Sequence, residues 1–241
     1  PMIFTYNYKP VIEDFGKNAK MTASAILKIL ENAVNVPSDS CGDDVFSISK
    51  DSRAWVLTEW QLEISEYPVY KDDIKVETWS EGMTSPLVCN RNFLMYRNGE
   101  QCLKGTTRWI LLDLASGRPC RLTDQILEKY RPDAKKVFDS QKLSPVPVPE
   151  CFTEEKAVTV QRRDIDFNDH VHNTVYFDYA METLPQEIFS IRDFSRIRIS
   201  YKTALKDNDK ALCRFARIGE SSIVHILNES GNLCCIVEVK E

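Results

Sequence analysis

The sequence predicts an α+β fold in which one structural unit occurs twice in tandem. Three observations predict it: two helix-patterned stretches, a train of alternating strands and tight turns after each, and a proline-rich connector between the halves. In the first half, Met21–Asn32 has helical periodicity, with Ile26, Leu27, Ile29 and Leu30 forming a broad apolar face. In the second, Asn173–Leu184 reads as a helix stopped by Pro185. Trp60–Ser65 alternates apolar and polar residues, then reaches Tyr67 and the acidic turn Lys71-Asp72-Asp73. Arg196–Tyr201 does the same before Lys206-Asp207-Asn208-Asp209. A hairpin then follows in each half: Phe93–Leu103 around Asn98-Gly99, and Ile223–Cys235 around Ser230-Gly231, dipeptides that supply the positive φ of tight hairpins. A single apolar helix must be covered by a sheet. The simplest arrangement is an antiparallel sheet curved around each helix.

The connector is Ser144-Pro145-Val146-Pro147-Val148-Pro149, whose alternating prolines favour a stiff extended chain. Before it, Asp124–Phe138 reads as a short helix broken at Pro132. The expected division is residues 1–138, a linker over 139–149, and residues 150–241.

Composition narrows the function. Apolar residues make up 43% of the 241, enough to fill a core, and the net charge of −5 argues against a nucleic-acid partner. No apolar run approaches the roughly 18 residues that span a bilayer. Pro1–Tyr6 lacks the basic and apolar regions of a secretory signal. The eight cysteines are scattered, with no C-x-x-C, as expected of free thiols in a reducing, cytoplasmic setting.

Of three histidines, His225 lies mid-strand between Val224 and Ile226 and reads as structural. His170 and His172 end a richer stretch, Asp164-Ile165-Asp166-Phe167-Asn168-Asp169-His170-Val171-His172, just before the second helix. If the stretch is extended, period-two alternation points Asp164, Asp166, Asn168 and His170 to one side. Carboxylate, amide, imidazole and the positive end of a helix together suit attack of water on an acyl group. Helix capping competes with this, since Asp and Asn are what a helix entry needs. A calcium loop matches at Asp164, Asp166 and Asn168 but fails where Asp169 and Val175 replace the required Gly and Glu. A metal held by His170 and His172 lacks an evident completing ligand, and no cysteine carries the local signature of a Cys-His hydrolase.

The stretch from Asp164 to Tyr176, with Glu182 and Pro185 beyond, resembles the signature of the acyl-acyl carrier protein thioesterases, roughly D-L-D-x-N-x-H-V-N-N-x-x-Y followed by E-x-x-P. In the first half Trp55-Val56-Leu57, Tyr67-Pro68, Thr78-Trp79, Trp109–Asp113 and Arg118-Pro119 resemble its other landmarks, in order. The resemblance implies two tandem hotdog domains, each an antiparallel sheet wrapped around a long helix. It implies hydrolysis of the thioester between a fatty acyl chain and the phosphopantetheine arm of acyl carrier protein, without metal or organic cofactor. Carried over residue by residue, Asp166, Asn168 and His170 are the catalytic positions, with Asp164 and Glu182 as weaker alternatives for the base. Two departures stand out. His172 replaces an Asn, and Ala204-Leu205 stand where plant members carry a Glu-Cys pair. The implied partner is acidic. A basic run, Arg192, Arg196, Arg198, Lys202, Lys206, Lys210, Arg214 and Arg217, is a candidate for meeting it, with Arg196, Arg198 and Lys202 sharing strand parity. An acyl-coenzyme A thioesterase and a non-catalytic acyl-binding hotdog protein stay open as alternatives, the expected state being a monomer or a homodimer.

Overall fold

The computed structural model describes residues 1–42, 52–139, 145–190 and 193–241. Residues 140–144 of the expected linker, and Arg192 of the basic run, lie outside the described residues. The chain divides into two compact units, Pro1–Leu143 and Ser144–Glu241.

Unit 1 contains β1 (Phe4–Tyr8), α1 (Ala23–Ser40), β2 (Arg53–Ile64), β3 (Ile74–Ser85), β4 (Val88–Arg97), β5 (Glu100–Asp113) and α2 (Asp124–Glu128). Unit 2 contains β6 (Glu154–Thr159), α3 (Asn173–Met181), α4 (Gln186–Phe189), β7 (Arg196–Tyr201), β8 (Lys210–Ile218), β9 (Ser221–Asn228) and β10 (Leu233–Lys240). Unit 1 orders its strands β1-β3-β4-β5-β2. Unit 2 orders them β6-β8-β9-β10-β7. Every pairing is antiparallel, and the two orders are the same when each unit's strands are counted from its first. This is the tandem α+β hotdog plan.

In each unit the core forms where the helix meets the sheet. Ile26, Leu27, Leu30 and Ala33 of α1 are fully buried, as the apolar face predicts. Truncating such a leucine to alanine costs about 2–5 kcal/mol. α1 runs on past the predicted Asn32, with Pro37 inside its last turns. The shorter α3 buries Tyr176, Phe177, Tyr179 and Ala180 and ends at Met181, before the predicted Leu184. Pro185 then caps α4. α2 also stops short of the predicted region, capped at its start by Thr123 and ending four residues before Pro132.

The turns carry the strand order. Asn98 (φ 49°) and Gly99 (φ 88°) close the β4–β5 hairpin in the left-handed region. The Asn98 amide also holds the preceding acidic turn, donating to Asp72 Oδ1 (2.6 Å) and accepting from the Asp73 N–H (2.9 Å). The β9–β10 connection is looser than the predicted Ser-Gly turn. It spans residues 229–232, and Asn228 Oδ1 accepts from the N–H groups of Ser230 and Asn232 (3.1 and 2.9 Å). Only Gly231 has positive φ there.

Candidate active site

The stretch before α3 is not extended. Asp166 N–H donates to the His170 carbonyl (2.8 Å), Asp169 N–H donates to the Asp166 carbonyl (3.2 Å), and Ile165 bridges Val171 antiparallel. The chain therefore folds back on itself, with Asp169 in the left-handed region at φ 59°. The shared face expected for Asp164, Asp166, Asn168 and His170 is corrected by this reversal. The Asp166 side chain braces the reversal, its Oδ1 accepting from the N–H groups of Asn168 (2.8 Å) and His170 (3.3 Å). A short acceptor side chain that binds its own downstream backbone competes with strand formation.

Asp164 has a different part. It is buried, and its Oδ2 accepts from the Tyr179 hydroxyl (2.6 Å) and the Gln161 N–H (2.9 Å). Burial, then the neighbouring Asp164, push the Tyr179 phenol well above its ordinary range, so it stays a donor. The Asp164 carbonyl accepts from His172 N–H (2.8 Å), and His172 caps α3 with Nδ1 against Thr174 N–H (3.4 Å) and Thr174 Oγ1 (3.1 Å). One of the two unexplained imidazoles is thereby a helix cap. Tyr179 was not singled out by the sequence. Unit 1 anchors its own aspartate from a different element: Tyr8 of β1 donates to Asp14 Oδ2 (3.0 Å), which also accepts from the Val11 N–H (2.8 Å).

The likeness of the two turns extends to the backbone bonds that close them. Gly16 N–H donates to the Lys20 carbonyl, Ala19 has φ 59°, Phe15 bridges Met21, and Thr22 N–H reaches the Asp14 carbonyl. Met21 N–H donates to the Pro68 carbonyl (2.7 Å) as Val171 N–H does to Leu205 (2.8 Å). Where unit 2 has Asp166 and His170, unit 1 has Gly16 and Lys20. Only unit 2 carries a carboxylate and an imidazole on the frame.

The three candidate carboxylates sit in different surroundings. Glu182 sits at the far end of α3, paired with Lys156 (3.2 Å). Asp164 is held by Tyr179 and Gln161. Asp166 is half-buried beside a half-buried His170, and its second oxygen, Oδ2, makes no hydrogen bond among the described residues. Leu205, at the second Glu-Cys position of the resemblance, lies against Val171 and donates its N–H to the Tyr176 hydroxyl (2.8 Å). The first, Ala204, is exposed. Neither residue can supply a nucleophile or a base. Burial raises the thiols of Cys213 (to about 11), Cys234 and Cys235, leaving them protonated at neutral pH and unable to attack as thiolates. No cluster of three metal-ligating side chains occurs among the described residues.

Four cations of the basic run are paired with carboxylates. Arg198 pairs with the buried Glu238 (3.7 Å), Arg214 with Glu155 (2.7 Å), Arg217 with Glu241 (3.1 Å) and Lys210 with Glu229 (3.8 Å). Arg198 is itself mostly buried and cannot line a docking face with Arg196 and Lys202 as its parity suggested.

Sequence and fold comparisons place the chain in a family. The family model for the acyl-ACP thioesterase N-terminal domain matches residues 1–130, and that for the acyl-ACP thioesterase C-terminal domain matches residues 150–234. The chain belongs to the acyl-ACP thioesterase family. It is 25% identical over 227 residues to oleoyl-acyl carrier protein thioesterase 2, chloroplastic, of Arabidopsis thaliana, a match covering 86% of this chain and 61% of that protein. An acyl-[acyl-carrier-protein] hydrolase of Cuphea viscosissima is 26% identical over 160 residues, covering 64% of this chain and 38% of that one. The chain thus spans about three fifths or less of these relatives' length. Among solved structures, an acyl-ACP thioesterase from Bacteroides thetaiotaomicron shares the fold at a TM-score of 0.88 and 20% identity, covering 99% of this chain and 97% of that one. The 12:0-ACP thioesterase from Umbellularia californica does so at 0.83 and 19%, covering 99% and 96%.

Proposed function

We propose that this chain hydrolyses the thioester of a fatty acyl group on acyl carrier protein and releases the free fatty acid. Asp166, Asn168 and His170 carry the reaction. The observation that supports this most is the turn of unit 2, which presents a carboxylate and an imidazole where the matching turn of unit 1 presents Gly16 and Lys20. Two backbone N–H groups fix Asp166 Oδ1, which leaves Oδ2 to orient a water molecule and take its proton as that water attacks the thioester carbon. The positive end of the α3 dipole polarises the carbonyl and favours the developing oxyanion. His170 delivers a proton to the departing pantetheine sulfur, and the exposed Asn168 amide positions the substrate. The acyl carrier protein is the partner, met by cations that are exposed beside the turn, Arg162, Lys202 and Lys206. All eight cysteines are free, which fits a reducing, cytoplasmic setting, and no helix among the described residues is long and apolar enough to cross a membrane.

The test is hydrolysis of one acyl chain presented on acyl carrier protein and on coenzyme A. The expected result is a higher kcat/KM on the carrier protein. A much higher value on the coenzyme A ester refutes the carrier-protein reading, and no turnover on either ester refutes hydrolysis.

A further inference from the structure

Tyr176 and Leu205 have no part in the reaction above, yet the fold joins them to its centre. The peptide group between His170 and Val171 is bonded on both edges. Its carbonyl accepts from the Asp166 N–H (2.8 Å) and closes the turn, and its N–H donates to the Leu205 carbonyl (2.8 Å). Leu205 is fully buried, and its own N–H donates to the hydroxyl of the buried Tyr176 (2.8 Å). A line of bonds therefore runs from the Tyr176 hydroxyl through Leu205 to the peptide that carries His170. Burial pushes the Tyr176 phenol well above its ordinary range, so it accepts as a neutral hydroxyl at every working pH.

Unit 1 shows what this hydroxyl is for. There the Lys20–Met21 peptide is bonded on both edges in the same way, to the Gly16 N–H (2.9 Å) and the Pro68 carbonyl (2.7 Å). Pro68 holds the place of Leu205 but has no N–H to satisfy. Ile26, five residues after Met21 as Tyr176 is after Val171, has no hydroxyl to offer and is fully buried. Donor and acceptor are thus present together in unit 2 and absent together in unit 1. A buried N–H left without an acceptor is costly, and it regains a partner only if the chain shifts or water enters. Either event draws the Leu205 carbonyl off Val171.

We propose that Tyr176 is a positioning residue of the hydrolytic site: by satisfying the Leu205 N–H it keeps the Leu205 carbonyl on Val171 and fixes the peptide plane that carries His170. The proposal rests on the reading of Asp166 and His170 as reacting groups. The Tyr176 ring packs edge-on against Tyr201, with centroids 5.7 Å apart, and a phenylalanine keeps that contact. Tyr176→Phe therefore removes the acceptor alone.

The experiment follows amide hydrogen exchange and ester hydrolysis in the full chain. In Tyr176→Phe the Leu205 and Val171 amides are expected to exchange about tenfold faster or more, while those of the β8–β9 ladder keep their rates; a general loss of stability would speed all of them. At temperatures where the variant is folded, kcat should fall about tenfold with KM little changed. The pH profile of kcat should keep its shape, because the phenol does not titrate in that range. Adding Leu205→Pro removes the orphaned donor and recreates the Pro68 arrangement, and should restore kcat at least about threefold over Tyr176→Phe. The proposal is overturned if Val171 keeps its protection in Tyr176→Phe, if kcat stays within twofold of the parent chain, or if a folded double variant is no faster than Tyr176→Phe. The first two outcomes decide even if the double variant misfolds. The exchange readout needs no substrate, so a parent chain that hydrolyses no ester removes the reading of the site, while the link from Tyr176 to the His170 peptide is still judged on its amides.

Discussion

Replacing Tyr179 with Phe removes one hydroxyl and tests whether Asp164 is the peg that holds the site turn. The bond lost is a buried 2.6 Å contact from the Tyr179 hydroxyl to Asp164 Oδ2, which keeps only the Gln161 N–H at 2.9 Å. Hydrogen bonds to charged groups contribute about 1.5–3 kcal/mol. In a chain of this size each kcal/mol moves Tm by about 2–4 °C, so Tyr179→Phe should melt about 3–12 °C lower in a calorimetric scan. Asp164 also accepts the N–H of His172 through its carbonyl, and the turn bearing Asp166 and His170 lies between those two anchors. Loosening them by a fraction of an ångström should lower kcat about tenfold with KM little changed. Unit 1 supplies the control. Tyr8→Phe deletes the matching bond to Asp14, longer at 3.0 Å and part-buried, at about 1 kcal/mol or less, and should leave turnover within about twofold. Equal losses of turnover in the two variants would refute the argument. So would full turnover in Tyr179→Phe at temperatures where it is folded.

Three further outcomes are expected. Asp166→Asn keeps the Oδ1 acceptor of the turn but loses the base, so kcat should fall about 100-fold or more while Tm changes by only a few degrees, measured on the same acyl ester. Cys213→Ala and Cys235→Ala should keep turnover within a few fold, and thiol-directed inactivation that requires either residue would contradict the buried, protonated thiols. His225 is lowered by burial, so the unfolded chain binds its proton first as pH falls. That contribution to stability is complete above the ordinary histidine value of about 6.5 and is lost below it, and chemical denaturation from pH 7 to 5 should show a flatter slope in His225→Leu.

What the sequence disclosed and what it concealed follow from the range of the interactions concerned. The tandem α+β plan was legible because periodicity, hairpin glycines and acidic turns are local signals, and β7 begins and ends where its alternation does. Local signals also misled. Asp164–His170 alternates like a strand, but the backbone turns back within four residues, Asp166 N–H bonding the His170 carbonyl as Gly16 N–H bonds the Lys20 carbonyl in unit 1. The basic run failed at longer range: Glu155 and Glu238 are far from Arg214 and Arg198 along the chain, and only strand pairing sets each opposite its arginine. Tyr179 was hidden for the same reason, since its contact to Asp164 is made only once α3 packs over the turn.

The paired turns separate what a segment must be from what it is free to become. Both units require an aspartate to hold the 3-10 turn, at Asp14 and Asp164, and both require a residue that tolerates positive φ, at Ala19 and Asp169. The positions of Gly16 and Lys20 answer to neither demand, for the backbone bonds around them form with no help from their side chains. Their counterparts in unit 2, Asp166 and His170, are therefore tenants on a frame that stands without them. A chain built this way can acquire, exchange or lose its reactive groups by single substitutions while the architecture that aims them is left intact.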